Sequence, residues 1–333
     1  MRRTRIGDVA AAAGVSTATV SRALSDPARV GAATRARVME AVRATGYRAN
    51  GAARDLRARR ARSILVLAPD LSNPFFGGII GAVQEVAAAA GLTVQVADTR
   101  RGDAHLDGLG HDGRADGILL LDGGLAPATV AGWTLPVVML CEWMPGGALP
   151  AVGVDNARGA RLAAEHLLGL GHRRIAHVAG PEGNVLSAAR AAGWRAALEA
   201  AGLAPRPGDL LSGGFGLEHG AAAARLWAAA PDRAGAVLCA SDECAMGFMS
   251  ECDRMGLSVP RDVSVTGFDD IELAARTIPP LTTVRQPRAA LGRRAAERLV
   301  ARLLGAADPD GREELPLTLV RRASTAAPPP ASA

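Results

Sequence analysis

Lysine is missing altogether: all 38 basic side chains of this 333-residue chain are arginine. In a chain so rich in Ala and Gly, that is a compositional bias and carries no chemistry. Aromatic residues are scarce at 3 %, with a single Tyr, so Ala, Val and Leu must fill the interior. Hydrophobic content of 49 % is ample for that. No apolar run reaches the roughly 18 residues of a membrane-spanning helix, so no membrane partner is expected. The basic start is not followed by an apolar stretch, which argues against a secretory signal. Four cysteines (Cys141, Cys239, Cys244, Cys252) lack a C-x-x-C pair or a histidine at metal spacing. They read as buried free thiols in a reducing cytoplasm, with no metal and no cofactor expected. Also missing are a phosphate loop, paired carboxylates and a nucleophile–base set, so catalysis is not expected.

What is present is strongly uneven charge. Residues 1–62 hold 14 Arg against Asp8, Asp26, Glu40 and Asp55, a net of +10, and the whole chain is +5, which leaves −5 for residues 63–333. A short basic block on a mildly acidic body is the electrostatic footprint of a nucleic-acid-binding module. A basic solvated tail would carry the same charge, but this block is also patterned for packed helices. The spacing predicts helices over residues 6–13, 17–24 and 32–45. Gly14 and Gly46 act as stops, Ser16 as an N-cap, and Asp26-Pro27 as a turn. Val9, Ala10, Val15, Val20, Leu24, Val38, Val42 and Tyr47 form a small core. Helix, tight turn, helix is the helix-turn-helix arrangement. Asn50 then caps a short helix over 50–57, and Arg59, Arg60 and Arg62 lead into the body.

The body alternates strand and helix, which predicts an α/β fold with parallel sheets. Strands are expected at 63–68, 93–97, 117–121, 137–140, 175–179, 236–239, 263–268 and 315–320. Helices are expected at 75–90, 156–169, 187–201, 216–230, 243–255 and 288–304. Their number suits two doubly wound subdomains. The glycine-rich stretch 98–114 supports only a short helix, near residues 104–109. The chain from residue 323 is Pro/Ala-rich and expected to be disordered.

Five motifs, in order, carry a family resemblance: Asp8-Val9-Ala10 with Gly14-Val15-Ser16 and Thr19-Val20-Ser21-Arg22; Gly46-Tyr47 with Asn50; residues 69–76, from Pro69-Asp70 to Phe75-Phe76; Gly171-His172-Arg173-Arg174-Ile175; and Gly267-Phe268-Asp269-Asp270 with Pro280-Leu281-Thr282-Thr283-Val284. The chain resembles the LacI/GalR (lactose/galactose repressor) family over about residues 4–324. The resemblance implies a helix-turn-helix headpiece (1–48), a hinge helix and linker (49–62), and two subdomains of the periplasmic-binding-protein type. These are 63–156 with 286–314, and 157–285 with 315–324, followed by a disordered tail at 325–333. It implies a cytoplasmic, nucleoid-associated homodimer on a pseudo-palindromic double-stranded DNA operator, acting as a repressor under allosteric control by a small-molecule effector, a sugar or sugar derivative.

Residue by residue, Thr17, Ala18 and Arg22 sit where a recognition helix meets base edges, with Arg22 suited to guanine. Ser16, Thr19 and Ser21 suit phosphate oxygens. By match to the family, Asn50 starts the hinge helix, Ala53 is its close helix–helix contact and Leu56 its minor-groove wedge. Ala49 departs from the family's usual Pro. At the effector end the resemblance points to Asn73, Phe75, Phe76, Cys141, Arg190, Phe215, Ser241, Asp242 and Asp269. An arginine fork and a carboxylate grip hydroxyls, and an aromatic face covers a sugar ring. Ser241 and Cys141 replace a usual Asn and Asp, implying a different or less hydroxylated ligand. His166, His172 and His177 read as structural. A transport-type solute-binding protein shares the body fold but predicts a signal peptide and no basic headpiece.

Overall fold

Gly14 shows how local sequence builds the headpiece. Its φ of +62° is the left-handed conformation that glycine adopts without steric cost, and it ends helix α1 (Ile6–Ala13). Two residues on, Ser16 starts α2 (Thr17–Ser25), its Oγ accepting from the Thr19 N–H at 3.2 Å. Helix α3 (Ala32–Thr45) ends at Gly46. Val9, Val20 and Val38, one from each helix, are fully buried against one another, with Val15, Leu24, Val42 and Tyr47 packed around them. Burial of each such valine contributes about 1.5–3 kcal/mol.

The structure is a computed structural model that describes residues 4–47, 60–101, 106, 108–111, 113–147, 149–306 and 311–329. Asn50, Ala53 and Leu56 lie outside the described residues. The chain divides into two compact units at Ala61/Arg62, the headpiece and the body.

Among the described residues the body holds two six-stranded sheets. The first is ordered β11-β5-β4-β3-β1-β2. Its strands are β1 (Ser63–Ala68), β2 (Thr93–Asp98), β3 (Gly117–Leu120), β4 (Val137–Leu140), β5 (Ala151–Val154) and β11 (Arg312–Leu315), all parallel. The second is ordered β12-β10-β9-β8-β6-β7. Its strands are β6 (Ile175–Val178), β7 (Leu210–Leu211), β8 (Ala236–Cys239), β9 (Ser264–Asp269), β10 (Thr282–Arg285) and β12 (Thr318–Val320), and only β12 runs antiparallel to its neighbour. Inner strands such as β1 are buried along their whole length, which is why they read as continuous apolar runs.

Helix α4 (Phe75–Ala89) packs with α10 (Arg288–Leu303) on the first sheet, which also carries the short α5 (Pro127–Gly132). On the second sheet, α6 (Asn156–Gly169) pairs with α7 (Val185–Ala200), and α8 (Leu217–Ala229) with α9 (Asp242–Arg254). Glycine sets how closely α6 and α7 approach: a Cβ at Gly193 would lie 2.0 Å from the Ala157 carbonyl oxygen. The chain passes between the sheets after β5, after β10 and after β11, so the loops at the carboxyl ends of both sets of strands face one cleft. That is where ligands bind on open parallel sheets.

Two expectations need correction. The single last strand expected over 315–320 is two strands, β11 and β12, on different sheets. The tail is not disordered from residue 325. His166 Nε2 meets Thr325 Oγ1 at 2.9 Å, and the Ala326 N–H donates to Ser264 Oγ at 3.0 Å. These bonds hold the chain to the second sheet although its composition carries no packing signal.

Candidate DNA-reading face and effector cleft

On α2, Thr17, Ala18, Ser21 and Arg22 fall on one side of the helix, because positions four apart lie about 40° apart around its axis. Val20 and Ala23 point the other way, into the core. Ser16, Thr17, Ala18 and Arg22 are exposed, while Thr19 and Ser21 are half-buried. Ser16 also meets Thr19 Oγ1 at 3.0 Å, so its hydroxyl serves the helix start. The exposed face thus joins one long cation to short hydroxyl and methyl groups.

In the body, a cleft of about 350 Å³ opens between the two sheets. It is lined by Asn73, Phe75, Phe76, Cys141, Arg190, Phe215 and Asp269, seven of the nine residues expected at the effector end. Asn73 accepts from the Phe75 N–H at 2.8 Å in the turn that leads into α4. Phe75 and Phe76 meet edge to face at 5.4 Å. Arg190, on α7, is buried to 2 % exposure. Its Nε donates to Asn156 Oδ1 at 2.9 Å, its Nη1 donates to the Ala240 carbonyl, and its guanidinium lies 3.8 Å over Phe268 and 5.4 Å from Phe215. Two of its five N–H donors are thereby engaged, which fixes the fork and leaves donors for a ligand.

Asp269 ends β9 with φ +127° and accepts from Gln286 Nε2 at 2.7 Å. Burial pushes its carboxyl up to about 6, against the pull of Arg190. Cys141 (φ +69°) and Asp70 (φ +53°) also stand in the left-handed region at the cleft, a conformation that costs a non-glycine residue about 1–3 kcal/mol. Burial raises the Cys141 thiol, so it stays protonated. Among the described residues no group of three or more His, Cys, Asp or Glu could hold a metal ion.

Ser241 and Asp242 do not line the cleft. Ser241 caps α9, accepting from the Cys244 N–H at 3.0 Å, and donates to the Phe215 carbonyl at 2.6 Å. Asp242 accepts from the Thr283 hydroxyl and from the Ile271 N–H at 2.9 Å, tying α9 to the loop after β9. Its carboxyl is pushed up to about 7, first by burial and then by Asp269. His172 and His177 are buried and bonded to Ser264 and the Leu238 carbonyl, in keeping with structural roles.

The cleft also contains Asp70, which the third motif includes without a site role, and residues that motif reading passes over: Arg100, Glu142, His219, Glu243 and Gln286. Glu142 stands out. It is 7 % exposed and accepts from the Gly123 N–H at 2.8 Å and from Asn184 Nδ2 at 2.9 Å. Its position directly after Cys141 was the only signal available in the sequence.

Comparison with known proteins agrees with this geometry. Residues 5–50 match the bacterial regulatory proteins, lacI family, and residues 164–325 match the periplasmic binding protein-like domain. The chain is 38 % identical over 329 residues to the HTH-type transcriptional repressor CytR of Escherichia coli (strain K12), covering 97 % of this chain and 96 % of that protein. The lac repressor dimer bound to operator and the anti-inducer ONPF superposes with a TM-score of 0.87 at 31 % identity, covering 98 % of this chain and all of that one. The transcriptional regulator CelR–cellobiose complex gives a TM-score of 0.73 at 33 % identity, covering 97 % of this chain and all of that one. With the headpiece, the two-sheet body and this similarity along nearly its whole length, the chain belongs to the lacI family of bacterial regulatory proteins.

Proposed function

We propose that this regulator is a repressor whose operator affinity is set by a carbohydrate or carbohydrate derivative held in the cleft. The observation that carries the reading is the buried Arg190 fork beside Asp269, in a cleft that Phe75, Phe76 and Phe215 also line. That arrangement is suited to vicinal hydroxyls on one side and a ring face on the other. Asn73 and Cys141 complete the wall, while Ser241 and Asp242 support it from behind.

At the other end, Thr17, Ala18 and Arg22 read base edges, and Ser16, Thr19 and Ser21 engage phosphates. Asn50, Ala53 and Leu56 act at the minor groove. A single headpiece makes few contacts, so a C2 dimer binds a pseudo-palindromic operator. The regulator works in the cytoplasm, on nucleoid DNA. Effector binding changes cleft closure and through it the hinge, with a coupling of about 1–3 kcal/mol.

The test is a thermal-shift screen against sugars, followed by gel shifts on DNA upstream of the protein's own gene with and without each hit. A hit that alters retention of that DNA is the expected result. Retention unchanged by every sugar that raises the melting temperature would overturn allosteric control.

A further inference from the structure

We propose that Glu142 selects the effector by charge: the cleft takes a neutral or amine-bearing sugar and rejects its phosphorylated or carboxylated relatives. The inference rests on the cleft being the effector site, as proposed above.

Among the described residues four carboxylates line the cleft, Asp70, Glu142, Glu243 and Asp269, against two guanidiniums, Arg100 and Arg190. Arg100 is already held by Asp98 at 2.8 Å and Asp70 at 3.1 Å. Among the described lining residues Arg190 is left as the guanidinium available to a ligand, and it sits among Asp269, Glu142 and the supporting Asp242, all of which act on it. Glu142 itself meets two neutral donors, the Gly123 N–H and the Asn184 amide. A carboxylate accepts at about four lone-pair positions, so acceptor capacity remains at the cleft wall.

Helix N-termini could reverse this balance, since each carries about half a positive charge. Those of α4, α7, α8 and α9 reach the cleft; a side chain already accepts from the first turn of three of them, while α8 starts at Gly216 with no side-chain cap and carries Glu218 in its first turn. Asn73 accepts from the Phe75 N–H, Asn184 Oδ1 from the Leu186 and Ser187 N–H groups, and Ser241 from the Cys244 N–H. Glu243 adds a negative charge in the first turn of α9.

Burial already raises the Glu142 carboxyl above its ordinary range. Glu243 is raised by burial too, with Asp70 and Asp269 adding to it. A second anion nearby adds to that penalty, whereas a hydroxyl or ammonium donor relieves it.

Calorimetric titration of the full-length protein tests this with two charge-matched series: glucose, glucosamine, glucose 6-phosphate and glucuronate, then ribose and ribose 5-phosphate. A neutral or amine member should bind, with its anionic counterparts at least about 100-fold weaker. Glu142→Gln should narrow that gap by about tenfold, and Glu142→Asp, which keeps the charge, should preserve it. Equal or tighter binding of the phosphate or uronate in wild type overturns charge selection and leaves the carbohydrate reading standing. A gap unchanged in Glu142→Gln overturns the assignment to Glu142. Silence of both series in wild type overturns the carbohydrate reading, and this inference falls with it.

Discussion

Glu142 Oε1 accepts a hydrogen bond from Asn184 Nδ2 at 2.9 Å, joining the loop after β4 of the first sheet to the start of α7 on the second. The same Asn184 accepts from the Leu186 and Ser187 N–H groups through Oδ1. One side chain therefore starts a helix and spans the cleft. Asn184→Asp keeps the cap acceptor but sets a carboxylate against Glu142. The cleft should open, with a larger radius of gyration in solution scattering and effector affinity lowered about tenfold, the scale of one charged hydrogen bond. Adding Glu142→Gln restores a donor facing an acceptor, and closure should return. A double variant as open as the single one would show that this bond does not govern closure.

Arg190 is held by the opposite logic, as a cation buried among acids. Arg190→Met removes the donors to Asn156 and the Ala240 carbonyl and leaves Asp269 without its nearby positive charge. Breaking a buried charge pair costs about 3–5 kcal/mol, or roughly 10 °C in a domain of this size. Asp269→Asn in the Arg190→Met background should recover part of the lost melting temperature, because the stranded charge is then gone. If it recovers nothing, the loss comes from the hydrogen bonds to Asn156 and Ala240 and from packing over Phe268, and not from a stranded charge.

The contrast between legible and illegible residues follows from the range of the forces that place them. The headpiece helices are written locally: Gly14, Ser16 and Gly46 mark their ends wherever the rest of the chain lies. Strands β5, β7, β10 and β11 carry no comparable mark. The last reads Arg312-Glu313-Glu314-Leu315 and becomes a strand only because it pairs in parallel with β5. At the cleft, Arg190 and Asp269 are recognisable from their motifs, but Glu142 gains its role only when Asn184 arrives from the other sheet. Ser241 and Asp242 stand at the expected strand end, yet their side chains turn to the α9 cap and to Thr283, choices set by packing.

Asp242 makes stability depend on pH. Its carboxyl titrates at about 7 in the folded chain, against an ordinary 3.8. Between those values the folded state holds the proton more tightly, so the group favours folding at low pH, and that contribution is lost as pH rises through about 7. His177 acts in the other sense: burial lowers it to about 4, so its contribution is present above 6.5 and lost as pH falls toward 4. A raw melting curve mixes the two. Asp242→Asn isolates the first, since the amide still accepts from the Ile271 N–H and cannot ionise. Relative to wild type, this variant should gain about 2–4 °C between about pH 5 and about pH 8. A difference that stays flat across that range would show that Asp242 is ionised at both ends.

The C-terminal segment should prove structural up to a definable point. Ser324 is buried, donates to the Val265 carbonyl at 2.6 Å and accepts from the Thr282 N–H at 2.8 Å. Truncation after Ala323 removes these bonds with those of Thr325 and Ala326, each worth about 1 kcal/mol, so melting should fall by roughly 5–10 °C. Truncation after Pro329 keeps every one of them and should leave melting within about 1 °C of wild type. Equal losses for the two truncations would move the boundary of the packed tail.

Arg22 offers the sharpest test of the headpiece, because its substitution separates reading a base from touching the backbone. It is exposed on α2 beside Thr17 and Ala18, and arginine and alanine are both good helix formers, so Arg22→Ala leaves the fold intact. If the guanidinium reads a guanine, operator affinity should drop by about 1–3 kcal/mol, and preference at one base pair in each half-site should relax. Affinity for unrelated DNA would then change little. If it touches phosphate instead, binding should weaken about equally on all sequences, and the slope of log affinity against log salt should fall by about 1. Gel shifts on single-base operator variants at two salt concentrations distinguish these outcomes, and uniform weakening would remove Arg22 from the base-reading set.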